Sequence, residues 1–316
     1  LRCFSVDSKG WGVRPSRLLF RETGAKPTVR KTLADDHALI TFTSGSTGRP
    51  KGADRTHGLL TAQHFALAEH FPNRGGEIDM PCFPVVTLHN LCCGIPTILP
   101  AVDFKAPGSV YAPFLLEQIQ RWGINQMSGA PAYIERLVEH LEAEDQRNHS
   151  IKRMAVGGAP VPMHLCRRIL ERFPECEAQV VYGSTEAEPI ASASMVEVLA
   201  ERARAAELGL LVGSVAHVAD VALVHLPSDP VDLGADGIDP YRVEQGMSGE
   251  LVVSGPHVNR SYLDNPNANR ANKIYAEDGT VWHRTGDVAC FDEHQRIWLQ
   301  GRVKDLVQHR GVAAQP

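Results

Sequence analysis

The chain has 316 residues, 43% of them hydrophobic, and a formal net charge of −5. That is enough apolar material for a large core and for layered subdomains, and it excludes a disordered chain. No basic stripe marks a nucleic-acid surface, and the longest apolar stretch, around residues 91–102, is too short and too interrupted by Gly and Pro to span a membrane.

Short β-rich runs alternate with longer helical ones, the pattern of an α/β protein whose strands are covered by helices. Ala38 to Phe42 reads as a strand feeding the run Thr43-Ser44-Gly45-Ser46-Thr47-Gly48-Arg49-Pro50-Lys51-Gly52, and His57 to Glu69 as the helix after it. Glycines let a backbone turn tightly and present N–H groups to an anion; Thr and Ser add donors and Lys51 a positive charge, which is chemistry for phosphate oxygens. The spacing is not that of the G-x-x-x-x-G-K-S/T loop, because Pro50 separates the basic pair. A solvated glycine-serine turn is the plain alternative.

Gly94 to Leu99 reads as a further strand, Ala112 to Arg121 as a helix and Asn125 to Ser128 as a short extended piece. A helix starts at Pro131, with Tyr133, Leu137, Val138 and Leu141 in helical period. The strand Ile151 to Val156 runs into Gly157-Gly158-Ala159-Pro160, and a helix from Val161 to Phe173 follows. Gln179 to Tyr182 is a strand that stops at Gly183-Ser184-Thr185-Glu186. Three polar loops at strand ends predict one cleft, since ligands of open α/β sheets sit beyond the carboxyl ends of the strands.

A helix from Met195 to Glu207 carries Glu197, Glu201 and Glu207 on a solvated face. Beyond residue 210 the pattern turns β-rich, with candidate strands at Gly213 to Val224, Gly249 to Ser254 and Arg296 to Leu299, and a polar loop or hairpin from Pro227 to Gly246. The expected division is an α/β part over 1–210 and a smaller β-rich part over 211–300. The cysteines at 3, 82, 92, 93, 166, 176 and 290 lack paired metal-ligand spacing and read as reduced thiols of a cytoplasmic protein.

Four segments in order resemble the AMP-forming acyl-adenylate enzymes, a family of acyl-CoA synthetases, luciferase-like enzymes and peptide-synthetase adenylation domains. TSGSTGRPKG at 43–52 is similar to the family phosphate loop, YGSTE at 182–186 to its adenine and metal motif, RTGD at 284–287 to its ribose motif, and GRVKDLVQHRG at 301–311 to the hinge before a mobile C-terminal domain. GELVVSGPHVNRSYLDNP at 249–266 matches a further family segment. The fold this resemblance implies is the large N-terminal domain of an adenylate-forming enzyme, with 301–316 a hinge and both the N-terminal part and the C-terminal domain of the family missing.

The resemblance also implies roles. Thr43, Ser44, Gly45, Ser46, Thr47, Gly48 and Lys51 would hold the β- and γ-phosphates of ATP; Tyr182 would lie on the adenine beside Gly183 and Ser184; Thr185 would approach the α-phosphate. Glu186 would ligate Mg²⁺, with Glu188 a neighbouring acid that competes for that reading. Asp287 would bind the ribose hydroxyls, Arg302 the ribose or phosphate, and Gly157, Gly158, Ala159 and Pro160 would wall the nucleotide from the acyl group. The implied reaction joins a small-molecule carboxylic acid, expected to be fatty, to AMP and then passes the acyl group to coenzyme A. Where the family has an aromatic-His pair after Phe83-Pro84, this chain has Val86 and Thr87, with His89 two residues on. That departure, with the segment from Ala268 to Trp282, resembles the branch that makes β-lactones from β-hydroxy acids, in which no thiol is needed. A nucleotide-binding module without catalysis, and a kinase or hydrolase using the same glycine loop, stay open. The sequence fixes no oligomeric state.

Overall fold

The computed structural model describes residues 29–43, 50–103, 106–225, 231, 233 and 236–305, with short strands at 3–5, 13–15, 307–309 and 312–314. Contacts divide the chain into Leu1–Leu33 and Ala34–Pro316. In the first unit β1 (Cys3–Ser5) and β2 (Val13–Pro15) pair in parallel.

The second unit opens with a hairpin of β3 (His37–Thr43) and β4 (Lys51–Thr56), which brings Thr43 opposite Lys51. The sequence pattern predicted the first strand and the helix after it, α1 (His57–His70), but not β4 between them. The reason is local. Asp54 and Arg55 are buried, and hydrogen bonds replace apolar packing: Asp54 binds His37 at 2.8 Å and Arg55 donates to Thr41 at 3.1 Å and to Gln63 at 2.9 Å. A strand satisfied this way carries no hydrophobic alternation. Thr56 caps α1 by accepting from the Leu59 amide at 3.2 Å.

Next come β5 (Asp79–Pro81) and α2 (Pro84–Cys93), then α3 (Ala112–Trp122), β6 (Gln126–Gly129), α4 (Pro131–Ala143), β7 (Arg153–Gly157), α5 (Met163–Arg172) and β8 (Glu177–Ser184). Strands β5 to β8 are parallel neighbours. A strand was expected at Gly94 to Leu99; the structure has α2 ahead of that stretch and, within it, an isolated bridge between Asp79 and Thr97. Helix α2 escapes a pattern search because its apolar residues run together, although its ends are orthodox: Pro84 in the first turn, and Gly94 at φ 69 closing it.

At β8 the chain reverses into β9 (Ala187–Ser194), and the sheet continues antiparallel. After α6 (Met195–Ala200) and α7 (Ala205–Leu208) come β10 (Leu210–Val215), β11 (Asp220–Val224), β12 (Gly249–Ser254), α8 (Pro266–Asn272), β13 (Lys273–Tyr275), β14 (Val281–Phe291) and β15 (Arg296–Arg302). The order across the sheet is β11-β12-β14-β15-β10-β9-β8-β7-β6-β5, with β13 also on β14. The β-rich stretch after residue 210 is thus hydrogen-bonded edge to edge with the parallel half. Two final strands, β16 (Val307–His309) and β17 (Val312–Ala314), pair with each other.

The main core lies on one face of the parallel strands: Met80, Met127, Met154, Val156, Ala178 and Val180 meet Leu115 and Ile119 of α3, Leu137 and Leu141 of α4, Leu165 and Ile169 of α5, and Met195 and Val198 of α6. A second cluster, with Val224, Val252, Ile274 and Trp282, packs the far end. Among the described residues no helix is long and apolar enough to cross a membrane.

The antiparallel half depends on a close approach at Gly213, where β10 is bulged and φ is +93. A Cβ there would sit 2.0 Å from the Ser192 carbonyl of β9. Left-handed backbone and overpacking together put the cost of Gly213→Ala at about 3 kcal/mol. Urea unfolding of the variant is expected to show that loss.

Candidate functional site

A cavity of about 470 Å³ lies on the sheet face opposite the main core, roofed by α1 and α2. Its position follows from the period of a strand. With Met127, Met154, Val156, Ala178 and Val180 buried in the core, the alternate residues Gln126, Ser128, Arg153, Ala155, Gly157, Gln179 and Val181 fall on the other face, and all line the cavity. Leu67 and Phe71 from the α1 end, and Val86, His89 and Asn90 from α2, form the roof.

At the carboxyl ends of the strands the cavity is bounded by Thr43, Gly158, Gly183, Ser184, Thr185, Glu186 and Arg302, so the end of β3, the turns after β7 and β8 and the last residue of β15 converge. Ser44, Gly45, Ser46, Thr47 and Gly48 lie outside the described residues. Gly158 has φ +78, and a Cβ on it would lie 3.3 Å from the Phe83 ring. Ala159 and Pro160 are exposed and do not line the cavity.

Tyr182 and Asp287 are 105 residues apart in sequence, and the Tyr182 hydroxyl donates to Asp287 Oδ2 at 2.7 Å. Arg302 Nε takes the other oxygen at 3.0 Å, while its Nη1 donates to the Thr285 carbonyl at 3.1 Å. Burial raises the Asp287 pKa, which Tyr182 and Arg302 only partly oppose; burial and the Asp287 charge push the Tyr182 phenol well above its usual value.

Behind the Gly183–Glu186 turn sits a buried polar cluster. Tyr262 donates to Glu186 Oε1 at 2.7 Å, the Asn259 amide to the Glu186 carbonyl at 2.6 Å, and Arg55 Nη2 to the Thr185 carbonyl at 2.8 Å. Lys51 Nζ donates to Asn272 at 3.2 Å and stands 5.2 Å above the Tyr262 ring; it is not on the cavity wall. Lys273 Nζ stands 5.4 Å from the same ring and donates to the Asn259 carbonyl. Burial pushes the Lys273 pKa down to about 7, with Glu186 opposing, and burial together with Lys273 holds His283 well below its usual range. Glu188, also on the cavity wall, is raised to about 7 by burial against the pull of Arg55. Arg55 and Lys273 both feel the charge of Glu186, Arg55 that of Glu188 more strongly, and Glu186 lies on the cavity wall with Tyr262 on one oxygen. That donor set suits an anion accompanied by a hard cation.

Sequence reasoning missed Arg55, Tyr262 and Lys273. Tyr262 lies inside the recognised 249–266 segment, so position was a usable signal; Arg55 and Lys273 carry none, because one is in the unseen strand β4 and the other starts β13.

Strand-end loops meeting at one cavity, where a parallel sheet turns antiparallel, are the place where an α/β fold offers a small-molecule site. Residues 5–263 match the AMP-binding enzyme family, and the chain belongs to it. It is 34% identical over 309 residues to an olefin beta-lactone synthetase of Stenotrophomonas maltophilia, covering 95% of this chain and 54% of that protein. It is 30% identical to a feruloyl-CoA synthase of an Amycolatopsis species, covering 89% and 52%. O-succinylbenzoate coenzyme A synthetase from Bacillus subtilis, solved with ATP and magnesium ion, superposes with a TM-score of 0.73 at 21% identity, over 96% of this chain and 58% of that one. The expected fold, the large domain of an adenylate-forming enzyme, is the one observed. The chain spans about half the length of the curated relatives it matches.

The depressed Lys273 pKa has a sign that can be checked. Between about pH 7, where the folded side chain titrates, and the ordinary lysine range near 10.5, the unfolded chain holds a proton the folded chain lacks, so stability rises with pH there. Lys273→Met is expected to lose this slope, which amounts to up to roughly 1.4 kcal/mol per pH unit above pH 7. Urea midpoints of both proteins at pH 7, 8 and 9 measure this.

Proposed function

We propose that the chain carries the nucleotide- and acid-binding core of an enzyme that activates a carboxylic acid as its acyl-adenylate and releases pyrophosphate. The observation that carries this reading is the single cavity bounded at one end by Thr43, the Gly183–Glu186 turn and Arg302, and extending from there along the sheet between α1, α2 and β6 to β8. A nucleotide at the strand ends and an acid in the chamber would meet at Gly158 and Thr185.

In that reaction an oxygen of the acid's carboxylate attacks the α-phosphorus of ATP; the new P–O bond forms as the bond to the β-phosphate oxygen breaks and pyrophosphate leaves. A carboxylate is ionised at neutral pH, so no base is required, and the protein's task is alignment and charge neutralisation. Tyr182 would pack against the adenine, Gly183 and Ser184 would border it, and the Asp287–Arg302 pair would receive the ribose. Thr185 would contact the α-phosphate. Thr43, Ser44, Gly45, Ser46, Thr47 and Gly48 would hold the outer phosphates with Lys51, whose amine swings from Asn272. Gly158 would stand between nucleotide and acyl group, while Ala159 and Pro160, off the cavity wall, would take no part in that partition. Glu186 would hold Mg²⁺, which when bound neutralises phosphate charge. The buried cations Arg55 and Lys273 fix the turn that presents Thr185 and Glu186.

Two fates of the adenylate follow from the chemistry: transfer to the thiol of coenzyme A, or displacement by a hydroxyl of the acid itself to give a β-lactone. Val86 and Thr87 at the positions of the family's aromatic-His pair, together with 34% identity to an olefin beta-lactone synthetase, favour the second.

Carboxylate-dependent ATP–pyrophosphate exchange by the intact gene product tests the reading. Exchange is expected with the right acid, and Glu186→Gln is expected to reduce its rate about 100-fold with the fold intact by circular dichroism. Product masses with and without coenzyme A separate the two fates. Release of ADP in place of AMP would overturn both.

A further inference from the structure

Two histidines and a cysteine meet where α1 and α2 pack over the chamber. His89 and Cys93 stand four residues apart on α2, so the helix places them on one face, and α1 supplies His64. His64 Nδ1 lies 3.1 Å from His89 Nδ1, Cys93 Sγ lies 3.5 Å from His89 Nε2, and one ligand atom from each of the three falls within 4.8 Å of the others. His89 is buried and is also on the cavity wall, while His64 and Cys93 are half-buried. Protons alone can satisfy this chain, with the thiol donating to His89 Nε2 and the other nitrogen of that ring donating to His64. The same atoms are metal ligands. Nitrogens and a thiolate around a tetrahedral zinc stand about 3.3–3.6 Å from one another. Closing the set from 4.8 Å therefore asks for about 1 Å of side-chain rotation, shared by two half-buried residues.

We propose that His64, His89 and Cys93 form a zinc site that staples α1 to α2 at the roof of the chamber. The donor set selects the ion: imidazole and thiolate suit zinc, whereas magnesium takes oxygen ligands. The site shares no residue with the cluster around Glu186. On binding, the thiol proton leaves to solvent and each ring gives the metal one nitrogen, so the two hydrogen bonds of the chain are exchanged for three metal bonds. The fourth tetrahedral position is left to water. A link across this helix pair would fix the roof that Leu67 and Phe71 from the α1 end and Val86 and His89 from α2 provide. The sequence carried only half of the set, since His64 comes from a different helix, 25 residues before His89. Cys92, next to Cys93, is exposed and lies outside the cluster.

The test uses the intact gene product, untagged and stripped of metal by a chelator. Zinc binding is read by calorimetry, and cobalt serves as a spectroscopic probe. One equivalent of zinc is expected to bind without competition from magnesium, and cobalt is expected to give a thiolate charge-transfer band in the near ultraviolet. Loss of an outer partner of a metal ligand already costs about 10–100-fold in affinity, so His64→Ala and Cys93→Ser, which remove ligands, are each expected to weaken zinc at least about 100-fold. Cys93→Ser is also expected to abolish the cobalt band, and Cys92→Ser to change neither readout. Absence of stoichiometric binding by wild type overturns the inference and leaves a hydrogen-bonded chain; so does binding that survives either His64→Ala or Cys93→Ser. If a variant unfolds, the wild type decides. Alkylation followed by mass spectrometry is expected to find Cys93 shielded by zinc and Cys92 not, and equal alkylation of Cys93 with and without zinc overturns the site.

Discussion

Everything in this molecule that bears on function hangs on the two-residue period of β6, β7 and β8. Met127, Met154, Val156, Ala178 and Val180 must go into the core under α3 to α6, and the strand geometry then commits their neighbours to the opposite face. Those neighbours are Gln126, Ser128, Arg153, Ala155, Gly157, Gln179 and Val181. A shift of one residue in any of these strands would bury glutamine and arginine among methionines, so the same hydrophobic term that stabilises the sheet also fixes the composition of the chamber.

The strand ends obey a different constraint. Cations held in apolar surroundings are costly, and Arg55 and Lys273 are accepted because each is bonded to a backbone carbonyl near Glu186: Arg55 to Thr185, Lys273 to Asn259. Asn259 in turn reaches the Asp54 carbonyl at 2.6 Å through its side chain and the Glu186 carbonyl through its amide. The hairpin β3–β4, the turn after β8 and the segment before α8 are therefore tied at one point. Charge placed on Glu186 is felt by all three, which makes the turn a rigid support and not a free loop.

The parallel half was legible in the sequence because a helix such as α4 announces itself by period, through Tyr133, Leu137, Val138 and Leu141. The strand-end loops were legible through their glycines and hydroxyls. What the pattern hid falls into two kinds. Strand β4 buries Asp54 and Arg55 against polar partners far away in sequence, so no local alternation exists to read. Strand β9 was hidden by a composition of small residues, Ala-Glu-Pro-Ile-Ala-Ser-Ala-Ser, that lets it pack tightly in the sheet but carries little hydrophobic contrast. The pairing of Tyr182 with Asp287 is of a third sort: both positions were singled out, but one is on β8 and the other on β14, with β15, β10 and β9 between them in the sheet, so no local pattern encodes their contact.

The chamber's two ends are coupled by β7. Gly157 at its carboxyl end cannot bear a side chain, since a Cβ would lie 2.3 Å from the Val181 carbonyl, so the backbone there is exposed to whatever occupies the space beside Gly158. Arg153 at its other end is in register with Gln126 and bridges toward Glu77. A strand is stiff along its length, so the separation between these ends does not adjust to the ligand. Anything that spans from Gly158 to the Arg153 end must match a fixed length, a filter that loops alone would not provide.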